Sequence, residues 1–142
     1  MSTNQKQLLS ILQIVQIQLI YVQKMMYAAV CSELRQVLKE QYNIYRAIEI
    51  EVYTIASSRG WDIWGIDPLK IKMISLRCRI RLLLAESDSK IAETLIQGNT
   101  RRIISNIRNS NNQQLSDNAV ATLSHILLAC TADTAKRMRY FL

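Results

Sequence analysis

Apolar residues recur along much of the chain at alternating steps of four and three, the spacing that places them on one side of a helix. In residues 5–29 the series is Leu8, Leu12, Val15, Leu19, Val22, Met26 and Ala29. In residues 32–58 it is Leu34, Leu38, Gln41, Tyr45, Ile48, Val52 and Ile55. Ser32 is placed to cap the second helix. No segment shows the apolar-polar alternation of a strand over a useful length, so the pattern predicts helices throughout.

A connection over residues 59–67 separates the second predicted helix from the third. It holds both tryptophans and leads to Asp67-Pro68, an N-cap residue followed by a favoured first helical residue. A third helix is predicted over 68–109 with a kink near Gly98, and a fourth over 116–141 after the polar stretch 109–114. Four long helices with short connections predict one all-α domain over 1–142, an antiparallel four-helix bundle.

The third predicted helix carries two apolar stripes. The first continues the four-three series and is expected to line the bundle: Leu69, Met73, Leu76, Ile80, Leu84, Ser87, Ile91 and Leu95. The second includes Ile71, Ile74, Cys78 and Leu82, roughly on the other side of the axis. Because a monomeric bundle needs one broad apolar face per helix, the second stripe predicts an interface between subunits of a homo-oligomer. The alternative is that the first or last helix covers it.

The net charge of +7 is concentrated on this third helix. Lys70, Arg77 and Arg81 follow one of its edges, and Lys72 and Arg79 follow another. Each edge borders an apolar stripe, which is typical of long cationic side chains that flank a core. A nucleic-acid surface favours a continuous basic face with aromatic residues, which this helix lacks, so nucleic-acid partners are disfavoured and polyanion binding stays a second alternative.

The composition argues against several kinds of enzyme. Gly60, Gly65 and Gly98 are too far apart to form a phosphate-binding loop. His125 is the single histidine, so multi-histidine zinc sites are excluded and no nucleophile has a recognisable base. We therefore predict no catalytic residue and no cofactor.

The cysteines and the first helix indicate where in the cell the protein is expected. Cys31, Cys78 and Cys130 are odd in number and widely spaced, which favours free thiols in a reducing cytoplasm. The apolar run over residues 8–30 is interrupted by glutamines and Lys24. We expect a core helix there and no membrane span.

A metal centre in a helical bundle requires inward Glu residues and Glu-x-x-His pairs, and no such pair occurs here. Glu49, Asp88 and His125 are the candidate ligands. Ion pairs of the two acids with Arg46 or Lys90, and a structural role for the histidine, are the favoured alternative. A hydrogen-bonded polar layer in the core is expected from four residues: Gln16, Gln41, Ser87 and Thr134.

Three segments suggest a family. They are Ser-Glu-Leu-Arg-Gln-Val-Leu at 32–38, Arg59-Gly60-Trp61, and Ile-Ala-Glu-Thr-Leu-Ile-Gln-Gly-Asn-Thr at 91–100. They resemble small ferritin-like four-helix proteins of spore-forming bacteria, a group that includes spore coat F-like proteins. The resemblance implies a ferritin-like bundle, often without assigned activity and sometimes associated with the spore coat. This sequence has Lys90 and Thr131 where a ligating His or Glu of the ferritin pattern is expected.

These observations predict a non-enzymatic ferritin-like bundle that acts through protein-protein contacts and self-associates, with a structural or spore-associated role. The alternative function is a reduced metal-binding oxidoreductase of the ferritin-like group.

Overall fold

The computed structural model describes residues 2–84, 87–96 and 115–142. These form five α-helices: α1 (Thr3–Ala28), α2 (Ser32–Arg59), α3 (Pro68–Leu83), α4 (Asp88–Thr94) and α5 (Asn118–Met138), followed by a 3-10 turn at Arg139–Phe141. The described ranges contain no strand. The all-α prediction is confirmed.

The ends of the first helices are set by local chemistry. α1 begins with a capping box, in which Ser2 N donates to Gln5 Oε1 at 2.8 Å and Gln5 N donates to Ser2 Oγ at 3.2 Å. α2 ends at Gly60, whose φ of 68° lies in the left-handed region that favours glycine. α3 begins as predicted, because Asp67 accepts a hydrogen bond from Leu69 N at 2.8 Å.

The third helix is shorter than the sequence predicts. α3 ends at Leu83, and Ser87 then adopts an extended backbone and caps α4 by accepting a hydrogen bond from Lys90 N at 3.4 Å. Ser87 is therefore a helix cap, which corrects its predicted place in the core layer. The predicted kink near Gly98 and the predicted loop at 109–114 lie outside the described residues.

α1 packs against α2, α3 and α5. The α2 helix is antiparallel to it after a short connection. Asn4 bonds Ser116 and Gln7 bonds Ser124, so α5 runs parallel to α1. Asp88 lies beside the end of α1 and Asp117 beside its beginning.

The core is formed mainly by α1, α2 and α5. α1 is also long and apolar enough, at a hydropathy of 1.3, to cross a membrane by length and composition alone, although half of that window is buried within the fold. Core helices pass the same test. The fully inaccessible core residues include Leu8, Ile11, Leu12, Val15, Val22, Met25, Leu34, Leu38, Val52, Val120, Leu127 and Met138.

The two stripes of α3 have the opposite roles from those predicted. Cys78 is fully buried, and Ile74 and Leu82 pack against the core that α1 builds. The predicted intersubunit face, which also includes the half-buried Ile71, therefore points into the chain, and α1 covers it. Within α3 the face expected to line the bundle lies outside instead, whereas Ile91 and Leu95 of the same predicted series are buried in the core as expected. We call the exposed residues of this α3 face the outer stripe: Leu69, Met73, Leu76, Ile80, Leu83 and Leu84.

Candidate functional site

The three candidate metal ligands lie apart. Glu49 sits in the middle part of α2, whereas Asp88 contacts the backbone of Cys31 just before that helix begins. At 1.5 Å per residue, the intervening helix separates these two places by about 27 Å. His125 lies exposed on α5. Within residues 2–84, 87–96 and 115–142, no group of three or more His, Cys, Asp or Glu side chains could hold a metal ion.

Glu49 takes part in a polar contact between α1 and α2. It is nearly buried and pairs with Arg46, as the alternative to metal binding predicts. Gln16 Nε2 donates to Glu49 Oε2 at 3.3 Å, and Gln16 Oε1 accepts a hydrogen bond from Ile66 N at 2.8 Å. Gln16 therefore joins three segments of the fold. Gly65 makes room for it, because a Cβ there would lie 2.5 Å from the amide of Gln16.

Asp88 has a structural contact of its own. Its carboxylate accepts hydrogen bonds from Val30 N at 2.9 Å and from Cys31 N at 2.6 Å. Cys31 is the N-cap residue of α2 and its side chain does not cap that helix. Asp88 therefore anchors the connection between α1 and α2 at the two amides that precede the first residue of α2. The predicted alternative partner, Lys90, pairs with Glu93 at 3.2 Å instead.

A buried polar patch joins α2 to α5. Thr134 Oγ1 donates to Gln41 Oε1 at 2.6 Å, which confirms one contact of the predicted polar layer. Thr131 donates to Leu127 O at 2.8 Å. Burial raises the pKa of Tyr45 above its usual range, and hydrogen bonds to Thr134 and Thr131 oppose that shift. A phenol held neutral among uncharged groups stabilises packing and offers no general base.

The cysteines are unsuited to act as nucleophiles. Burial raises the pKa of Cys78 and of Cys130, so the reactive thiolate is disfavoured at both positions. Cys31 is half-buried, and its thiol contacts Glu33. All three have free thiols, as predicted.

Two surface features remain. An open, mostly apolar groove of about 590 Å³ lies between α2 and α5, lined by residues that include Ile48, Leu123 and Ile126. The second is the outer stripe of α3, whose six side chains are between 50% and 85% exposed. Contiguous exposed apolar surface of this kind marks an interaction site. The outer stripe is therefore the candidate functional site.

Lys70, Lys72, Arg77, Arg79 and Arg81 are all exposed along the two edges of the outer stripe. Among the described residues, none of these five cations forms an ion pair. Both apolar stripes and both basic edges can be recognised in the sequence. The exposed stripe cannot, because equal periodicity on two sides of a helix does not tell which side a neighbouring helix covers.

Comparison of the chain with protein-family models, with characterised proteins and with solved structures finds no match.

Proposed function

We propose that this protein is a non-enzymatic helical protein that acts through protein-protein contacts, and that the outer stripe of α3 is its contact surface. The observation that carries the proposal is the exposure of six large apolar side chains on one face of one helix. Fully burying a side chain of this size contributes about 1.5–3 kcal/mol, so covering the stripe supplies a substantial driving force for association.

The same proposal includes a fold family, a role and a location. Three sequence segments resemble the ferritin-like group, and they support a ferritin-like four-helix bundle with a spore-associated or structural role. The wide spacing of the cysteines supports a location in the cytoplasm. Self-association of the chain stays a prediction. The face on which it was based packs against α1, so any pairing of copies through α3 would use the outer stripe.

Site-specific photocrosslinking tests the contact function. A photoreactive amino acid replaces Leu76 in the middle of the outer stripe, and in a matched control it replaces Lys39, which is exposed on α2. Illumination of cells that express the full chain is expected to give a protein adduct at position 76 and none at position 39. An adduct between two copies of the chain would be evidence for the predicted homo-oligomer. Equal labelling at both positions, or none at 76, would overturn the proposal.

Polyanion binding is a second candidate, favoured by the five exposed cations of α3. It depends on charge and not on the apolar stripe. Retention on heparin that falls steeply with salt, and that Leu76→Ser and Ile80→Ser leave unchanged, would favour this candidate over a protein-contact surface. No feature of the described residues favours the metal-binding alternative.

A further inference from the structure

The outer stripe has the spacing of a coiled-coil seam. Its residues follow one another at steps of four, three, four and three from Leu69 to Leu83, and Leu84 widens its end. With 3.6 residues per turn, all six fall within roughly 100° of the helix circumference. A continuous apolar stripe with four-three spacing along a whole helix is the surface that packs against a neighbouring helix.

Both edges of the stripe are basic. Arg77 lies on one edge and Arg79 on the other, and the remaining cations of α3 follow these two rows. In a helix pair, the positions that flank the seam face the flanking positions of the partner and select it by charge. The sequence of α3 contains no acidic residue. A complementary partner therefore carries Asp or Glu on both sides of its own apolar seam.

We propose that the outer stripe of α3 binds an acidic amphipathic helix of another protein, pairing apolar seam with apolar seam and basic edges with acidic edges. This inference rests on the proposed contact function and names the class of partner. A second copy of α3 does not meet the requirement. Two such helices would place cations opposite cations along both edges, in either relative direction.

The test uses the full chain and synthetic helical peptides. The first peptide has Leu at the seam positions and Glu at both flanking positions. The second replaces every Glu by Lys, and the third has the composition of the first with its apolar positions scrambled. Fluorescence anisotropy measures binding of each labelled peptide. Sedimentation with vesicles of phosphatidylcholine and phosphatidylserine measures attraction to an anionic membrane.

The deciding variant reverses charge on both edges, Arg77→Glu with Arg79→Glu. The neutral pair Arg77→Gln with Arg79→Gln is measured beside it and adds no repulsion. A control pair, Lys39→Glu with Lys136→Glu, changes the net charge equally at exposed positions of α2 and α5. Circular dichroism checks that each variant keeps its helices.

The wild-type chain and the control pair are expected to bind the Glu-flanked peptide and neither other peptide. The neutral pair is expected to bind it more weakly, and the reversed pair about tenfold more weakly, with a new preference for the Lys-flanked peptide. Equal binding of the scrambled peptide, no effect of charge reversal, or binding to vesicles but not to peptides would overturn the inference. If photocrosslinking gives a protein adduct at position 76 and any of these results is also found, the proposed contact function is retained. Only the acidic helix as its partner is then rejected.

Discussion

The hydroxyl of Thr134 in α5 donates to the side-chain oxygen of Gln41 in α2 at 2.6 Å, at a place where both residues are almost inaccessible to solvent. The other end of the same amide, Gln41 Nε2, is buried without a hydrogen-bond partner among the described residues. A half-satisfied amide in a core costs free energy, and it also fixes how the two helices sit against each other. This contact therefore fixes the register of α2 against α5 more than it adds to net stability.

Replacing Thr134 by Val leaves both ends of the Gln41 amide without a partner. We expect the free energy of unfolding to fall by about 1–3 kcal/mol. Gln41→Met removes the amide while nearly conserving its volume, so its effect is expected to be below about 1.5 kcal/mol. Urea unfolding of both variants and of the double variant measures the coupling. Thr134→Val should cost less in the Gln41→Met background, and an equal cost in both backgrounds would contradict the assigned bond.

A second prediction concerns the approach of Gly65 to Gln16. A Cβ at position 65 would collide with an amide that is held by Ile66 N at 2.8 Å and by Glu49 at 3.3 Å. We expect Gly65→Ala to push this amide aside and lower the free energy of unfolding by about 0.5–1.5 kcal/mol, the typical worth of a lost hydrogen bond. In a Gln16→Ala background the collision is absent. Thermal unfolding should then show a clearly smaller penalty, and an undiminished one would place the strain elsewhere.

Periodicity located the long helices because each has an extended seam to reveal it. α1 begins within two residues of the predicted position and α2 begins at Ser32 as predicted. The break before α4 was not foreseen, because Leu84 and Ser87 continue the same four-three series. A cap residue and a seam residue are indistinguishable there without knowing the tertiary contacts.

The candidate site shows the same limit. The ion pair of Glu49 with Arg46 was predictable because the two are neighbours on one helix. The role of Asp88 was not, since its partners Val30 and Cys31 are more than fifty positions earlier in the chain and no local pattern connects them. Which stripe of α3 stays exposed is likewise decided by α1, not by α3.

The carboxylate of Asp88 holds the connection between α1 and α2 through the amides of Val30 and Cys31. Asp88→Ala leaves the amides of Val30 and Cys31 without this acceptor, so we expect a loss of about 1.5–3 kcal/mol in the free energy of unfolding. Asp88→Asn keeps one carbonyl acceptor and should lose less. Hydrogen exchange of these two amides reports on the contact directly. Unchanged exchange in Asp88→Ala would show that the carboxylate does not protect them.

Acid should weaken the contact of Asp117 with Arg59, whose atoms approach to 2.8 Å. The hydrogen bond from Arg59 lowers the pKa of Asp117, and amides of α5 lower it further. The pKa of Asp117 is lower in the folded than in the unfolded chain. The stability that this contact contributes is therefore present above about pH 4, the ordinary range of an aspartate, and is lost as the pH falls through the lowered pKa.

Asp117→Asn keeps a capping oxygen and removes the charge. The difference in stability between the wild-type chain and this variant should therefore shrink as the pH of a urea titration falls below about 4. Asp117→Ala should lose about 1 kcal/mol from the missing cap alone, at every pH. A difference for Asp117→Asn that does not depend on pH would contradict the ion pair.

The same substitution on opposite faces of α3 separates the two stripes. Ile74 packs against the core, whereas Ile80 is half exposed on the outer stripe. Because Ile74 is partly buried against the core, Ile74→Asp removes apolar packing and is expected to lower the free energy of unfolding by about 2 kcal/mol. Ile80→Asp should change it by no more than about 0.5 kcal/mol. If Ile74 formed an intersubunit face, Ile74→Asp would instead leave a folded chain of lower mass. Urea unfolding measures stability and light scattering measures mass, so together they distinguish the two results. We expect the position 74 variant to lose stability. We expect the position 80 variant to keep an intact fold with a disabled contact surface.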